Sequence, residues 1–260
     1  MVRIQKFMEM ANKQADIYKD NRKIAAILIA GSVSRGCSDE HSDIELHIFW
    51  NEPITDADRL AVIKRCNGEI IDFHPYEEEE WSESYKVGEI KFEISHFLVS
   101  TIENWCNDLL IHSDSNEDKQ CVVSSVVDGI PIYGSELICT WKETLKNFPD
   151  ELKELIIIEN FTFSGRWKHR YALLEREDFL VLYDAVIEIE TKLMKILFAL
   201  NGMYVQNPKF KWLKKSLNQM EVKPRDCYER LIFILKNAYL EHGIKELEKL
   251  VAEVKSLTNH

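Results

Sequence analysis

No apolar run in the 260-residue sequence approaches the roughly 18 residues of a membrane span, so no crossing helix is expected. The amino terminus, MVRIQKFMEMANKQADIYKD, is amphipathic and charged and lacks the apolar core of a secretory signal. The six cysteines are scattered, with no C-x-x-C and no paired spacing. That pattern argues against a disulfide framework and against a structural zinc site. A reduced, cytoplasmic protein is the expectation. Basic charge is short as well: 33 Lys and Arg stand against 44 Asp and Glu, a formal net charge of -11. A general nucleic-acid binder needs a basic footprint that this chain lacks. The balance suits a cationic small molecule instead. Neither an internal repeat nor a low-complexity linker is present.

What the chain does have is ample material for a core, with 45% apolar residues and 30% charged ones. Residues 2–20 read as an amphipathic helix. IAAILIA, residues 24–30, is a continuous apolar run, read as a buried strand that ends in a Gly31-Ser32 turn. A second strand covers residues 43–50. TDADRLAVIKRCNG is a helix with Thr55 as N-cap and Gly68 just past its end. EIIDFH is a short strand, residues 77–80 a solvated acidic loop, and EIKFEISHFLVS an alternating strand that carries Glu93. From Thr101 the pattern turns helical. Leu182, Val186, Ile189, Leu193, Leu197 and Leu200 recur at helical spacing, as core or as the face of a homodimer. Two further helical stretches follow, with Gly243 as the break between them. Strands interleaved with helices, then helices alone, predict two domains, 1–138 and 139–260.

The anomaly lies in SDIELHIF. Asp43 and Glu45 open a strand and, at period two, share one face. Like charges this close repel, and burial worsens the repulsion. A glycosidase pair flanks a bond at about 5 Å or more and usually comes from different elements. A proton-sharing dyad usually needs close, symmetric carboxyls. A divalent cation explains the spacing best, because Mg²⁺ takes carboxylate and phosphate oxygens and its charge removes the repulsion. Upstream, Gly31 lets backbone approach a phosphate, and Ser32, Ser34 and Arg35 add two hydroxyls and a cation.

Gly31-Ser32, ten intervening residues and Asp43-Ile44-Glu45 on a strand together resemble the signature of the DNA polymerase beta-type nucleotidyltransferase superfamily. Its small bacterial members with helical carboxyl-terminal domains, the aminoglycoside and lincosamide nucleotidyltransferases among them, are the nearest match. LFALNGMYVQNPKFKWL, residues 197–213, also resembles a segment in the helical half of such proteins, particularly of a group known only as a domain of unknown function. The resemblance implies an α+β fold, with a mixed β-sheet and flanking helices followed by an all-α helical bundle. It implies Asp43 and Glu45 as metal ligands and a third carboxylate on a following strand. Glu93 matches that position, with Glu69 and Asp72 as competitors. It further implies Gly31, Ser32 and Arg35 at the nucleotide, with Lys209 and Lys211 in the helical segment as further phosphate contacts.

The expected chemistry is transfer of a nucleoside monophosphate from ATP, or another NTP, with Mg²⁺ to a hydroxyl of a small acceptor, a cationic aminoglycoside-like antibiotic among the candidates. Glu93 either deprotonates the acceptor or completes the metal shell. Two other readings keep the fold: a catalytically silent or antitoxin-like interaction module, and an enzyme that nucleotidylates protein or RNA.

Overall fold

The computed structural model describes residues 2–258. The chain divides into two compact units. The first comprises residues 1–108 and 122–146, the second residues 109–121 and 147–260, so the backbone passes between them three times. Among the described residues no helix is long and apolar enough to cross a membrane.

The first unit is built on a six-stranded mixed sheet. In chain order its elements are α1 (Val2–Tyr18), β1 (Ile24–Ile29), α2 (Gly31–Ser34), β2 (Ile44–Trp50), α3 (Asp56–Arg65), β3 (Glu69–Phe73), β4 (Trp81–Val87) and β5 (Ile90–Leu98). Then follow α4 (Val99–Leu110), α5 (Glu117–Asp128), β6 (Ile130–Tyr133) and α6 (Ser135–Leu145). The strand order is β3-β4-β5-β2-β1-β6. β2 and β5 pair in parallel and the other neighbours antiparallel. β1 and β2 read as nearly unbroken apolar runs because both are interior strands, covered on both faces.

Local chemistry fixes the connections. Thr55 caps α3 through a full capping box with Asp58, as its sequence suggests. Gly31-Ser32 is not a simple turn; it opens the single helical turn α2, with Gly31 at φ +62°. Two strands escape the periodicity reading. WSESYKV forms β4, although its polar serines and glutamate interrupt the apolar pattern. IPIY forms the edge strand β6, where a proline is tolerated.

One face of the sheet packs on α1 and α3 and carries a buried polar chain. Arg59 and Glu83 form an ion pair at 2.7 Å with both side chains fully buried. Trp50 Nε1 donates to His96 Nδ1 at 3.0 Å, which leaves the His96 Nε2 proton to donate to Glu83 Oε1 at 2.8 Å. Burial alone would raise the Glu83 pKa, but His96 and Arg59 outweigh it and hold the carboxyl below its usual value. Arg59 also donates to the Ser82 carbonyl and lies over the Phe73 ring. This ties α3 to β3 and β4. Removing one partner of such a pair costs about 3–5 kcal/mol, because the other charge is left buried.

The second unit is helical. Besides residues 109–121 it contains α7 (Asp150–Asn160), α8 (Gly165–Lys168), α9 (Arg170–Glu175) and α10 (Phe179–Leu200). α11 (Leu213–Gln219), α12 (Cys227–Asn237) and α13 (Glu241–Leu257) complete it. The stripe Leu182, Val186, Ile189, Leu193 and Leu197 on α10 is core, packed with Leu231, Ile244, Leu247 and Leu250. Gly243 does not break the last two helices; it lies in the first turn of α13. A Cβ there would meet the Asn237 carbonyl oxygen at 2.1 Å, so the glycine lets two helices meet at a tight corner.

Glu190 is the discordant residue of this core. Its Oε1 is buried with no partner among the described residues, and burial pushes its pKa up to about 8. The folded state therefore holds a proton that the unfolded chain releases near pH 4.5. Stability from this group is complete below pH 4.5 and is lost as pH rises toward 8, at roughly 1.4 kcal/mol per pH unit. Glu190→Gln should thus raise stability by a few kcal/mol at pH 8 and change little at pH 4.5. Urea unfolding at the two pH values checks this; an equal effect at both would be the contrary result.

Candidate active site

The parallel register of β2 and β5 sets the site. Glu45 lies opposite Glu93, His47 opposite Ser95 and Phe49 opposite Phe97. These residues share the sheet face opposite the Arg59 and Glu83 pair, because strand side chains alternate. Asp43 precedes β2 by one residue and joins them. One carboxylate oxygen from each of Asp43, Glu45 and Glu93 lies within 4.8 Å of the other two, and all three residues are half-buried.

Geometry explains Gly31 differently from the sequence. A Cβ at Gly31 would stand 2.2 Å from Glu45 Oε2, so the glycine makes room for the carboxylate itself. Ala30 N–H donates to the Glu45 carbonyl at 3.0 Å, which anchors α2 against β2. Within α2 the Ser34 hydroxyl donates to the Gly31 carbonyl at 3.0 Å, and Ser32 is half-buried at its start. Arg35 reaches α5, where Nε donates to Asp128 Oδ2 at 2.9 Å and Nη2 to Ser124 Oγ at 3.3 Å.

A residue missed in the sequence stands beside the acids. Lys91 Nζ hydrogen-bonds Glu93 Oε1 and lies 3.5 Å from Asp43 Oδ2. The Glu93 hydrogen bond and the two carboxylate charges raise its pKa against a smaller effect of burial. The signal was available: in KFE, positions 91 and 93 share a strand face. Lys91 and Glu93 also line a depression of about 230 Å³ with Asp72, Ser82, Ser84 and Ser95.

The competitors for the third carboxylate lie elsewhere. β4 intervenes between β3 and β5, so Asp72 is bonded to Ser84 at 3.0 Å, and Glu69 is exposed on the edge strand opposite Lys86. His47 is buried behind the acids between Phe49 and Phe97, and its Nδ1 has no partner among the described residues. Burial, with Arg35 adding to it, pushes its pKa down to about 4. The acidic segment 77–80 is the β3–β4 connection, closed by reciprocal hydrogen bonds between Glu77 and Glu80. Glu79 accepts from Trp105 Nε1 at 2.7 Å, and burial raises the Glu80 pKa despite Ser95.

Within the second unit Lys209 and Lys211 are exposed, and their backbone N–H groups donate to Asn207 Oδ1. In the same unit Arg166 pairs with Asp184 and Arg170 with Glu248.

The trio passes a chemical test for a hard cation. All three donors are carboxylate oxygens, and the oxygens of an octahedral Mg²⁺ shell lie about 3–4 Å apart. Small side-chain rotations bring atoms within 4.8 Å to that spacing.

Comparison with known proteins yields two family matches. Residues 116–213 match a domain of unknown function (DUF4037), and residues 175–259 match the YpoC-like proteins. Neither spans half of the chain. The first contains the segment 197–213 singled out in the sequence. No curated protein matches the chain. Among solved structures, a nucleotidyltransferase-like protein from Exiguobacterium sibiricum 255-15 is similar at 13% identity with a TM-score of 0.40. That alignment covers 96% of this chain and 74% of the other, a likeness too loose to carry an argument about this one.

The Gly31 contact yields a double-mutant cycle. Gly31→Ala suffers twice, from a left-handed backbone that costs about 1–2 kcal/mol and from overlap with Glu45. In a Glu45→Ala background only the backbone strain remains. The cost of Gly31→Ala should therefore fall by roughly 1 kcal/mol or more in the double mutant, read from urea unfolding midpoints. Strictly additive costs would mean that Gly31 and Glu45 do not touch.

Proposed function

We propose that the chain is a divalent-cation-dependent nucleotidyltransferase that transfers a nucleoside monophosphate, AMP from ATP in the first instance, to a hydroxyl of a small acceptor. The observation that carries the reading is the convergence of Asp43, Glu45 and Glu93 at the paired ends of two parallel strands, with Gly31, at the start of α2, packed against Glu45. Carboxylates this close repel, and a bound cation is the simplest way for their proximity to be useful.

Asp43 and Glu45 would hold the cation, which when bound supplies Lewis-acid charge at the phosphate oxygens, with Glu93 as third ligand or as general base. Gly31 keeps α2 against Glu45, and Ser32 offers a hydroxyl to a phosphate. Arg35, braced by Asp128, adds fixed positive charge beside that turn. The acceptor oxygen attacks the alpha-phosphorus, the bond to pyrophosphate breaks, and the hydroxyl proton leaves. Glu93, which holds Lys91 through Oε1, is the candidate base for that proton. A polar depression with Asp72 and Glu93 in its wall suits a hydroxyl-bearing acceptor of positive or neutral charge. A second reading, nucleotide binding without turnover, is favoured by one observation: Lys91 already neutralises part of the trio.

Incubation of an acceptor panel with Mg²⁺ and each NTP, followed by mass spectrometry, decides between the two. Adenylylated product is the expected result, and bound but unconsumed ATP the contrary one. Asp43→Asn and Glu45→Gln should each abolish the tightening of ATP binding by Mn²⁺ in calorimetry. Glu93→Gln should cut turnover by roughly 10²- to 10⁴-fold if the carboxylate is the base. A parallel collapse of metal affinity would make it the third ligand. ATP affinity that ignores the metal and survives Asp43→Asn would sink the reading.

A further inference from the structure

We propose that Lys91 is an internal counter-cation of the carboxylate trio, a positioning residue whose ammonium holds Asp43 and Glu93 together until a divalent cation displaces it. The inference rests on the cation-site reading above and adds a built-in competitor to it.

An ordinary surface ion pair joins one cation to one anion and is worth little. Lys91 does something narrower. Its ammonium bridges two carboxylates, one on β5 and one just before β2, and both belong to the trio. Residues 91 and 93 share a face of β5, so the contact needs no distortion of the strand. An ammonium brings one charge and three donors. A divalent cation brings twice the charge and draws the same oxygens to about 2.1 Å. The two cannot use one oxygen in one direction at once, so metal binding must move the ammonium aside.

The fold provides for that movement. The lysine side chain is 34% exposed, so its end is free to swing on a flexible stem. Asp72, Ser82, Ser84 and Ser95, all with oxygen-bearing side chains, line the depression beside it. Those acceptors can take the displaced ammonium without stranding its charge.

The test is Mn²⁺ binding to the full chain without nucleotide, by electron paramagnetic resonance, for the wild type and Lys91→Met, Lys91→Arg and Asp43→Asn. Lys91→Met keeps the stem but removes the competitor, and should bind Mn²⁺ about tenfold tighter or more. Lys91→Arg restores the charge and should return affinity to within about threefold of wild type. Thermal unfolding supplies a second readout: Lys91→Met should melt lower than wild type in EDTA and gain more from Mn²⁺. Saturable wild-type binding that is lost in Asp43→Asn but unchanged or weakened in Lys91→Met would overturn this inference and leave the cation site standing. Saturable binding in Lys91→Met alone would support it strongly. No saturable binding in either would remove the cation site, and this inference with it.

Discussion

The parallel ladder between β2 and β5 is the constraint on which the candidate site depends. Antiparallel neighbours pair the start of one strand with the end of the other. Parallel neighbours bring two starts together, and here both starts carry acids. Glu45 faces Glu93 across the ladder, and Asp43 stands one residue before β2. A slip of one residue would send every side chain of β2 to the opposite face. The apolar set Ile44, Leu46, Ile48 and Trp50, packed in the core with Phe7, Ala11 and Ala15, forbids that slip. The register of the acids is therefore enforced by the hydrophobic core on the other side of the sheet.

That other side is itself pinned by polar chemistry. Glu83 on β4 and His96 on β5 meet under the sheet, and Arg59 from α3 closes the pair. A buried ion pair is weak evidence of stability, since desolvation offsets most of its attraction. Its value is in specification. Glu83 has three buried partners in fixed positions, Arg59, His96 and Tyr18, and a β4 shifted along β5 would leave its carboxylate alone. β4 thus keeps Ser82 and Ser84 beside Ser95 and Glu93, where they form the wall of the depression next to the acids.

Much of this was legible in the sequence, and the exceptions have physical causes. IAAILI and IELHIFW announce themselves because interior strands need continuous apolar surface, and α3 because Thr55 and Asp58 form its cap. Asp43 and Glu45 were legible as a pair through strand period, whereas Glu93 rested on the resemblance, with Glu69 and Asp72 open beside it. β4 was not: a strand whose polar residues are satisfied inside the protein looks, in one dimension, like a loop. Glu83 is buried because Arg59, 24 residues earlier, comes to meet it, and no local pattern reveals that. Gly243 misled for a similar reason. Its lack of a side chain serves a helix corner at Asn237, where the eye expects a helix end.

Charge counting at the site adds the last step. Asp43, Glu45 and Glu93 carry three negative charges and Lys91 one positive, so the cluster stands at -3 + 1 = -2. One divalent cation brings it to zero with the ammonium still nearby. Three carboxylates alone would keep a net negative charge after binding one divalent cation. A lysine on the same strand corrects that imbalance while leaving all three oxygen donors in place. Its two ion pairs restrain Asp43 and Glu93. This gives Lys91, beyond the ion pair it forms, a reason to sit two residues from Glu93 and on the same face.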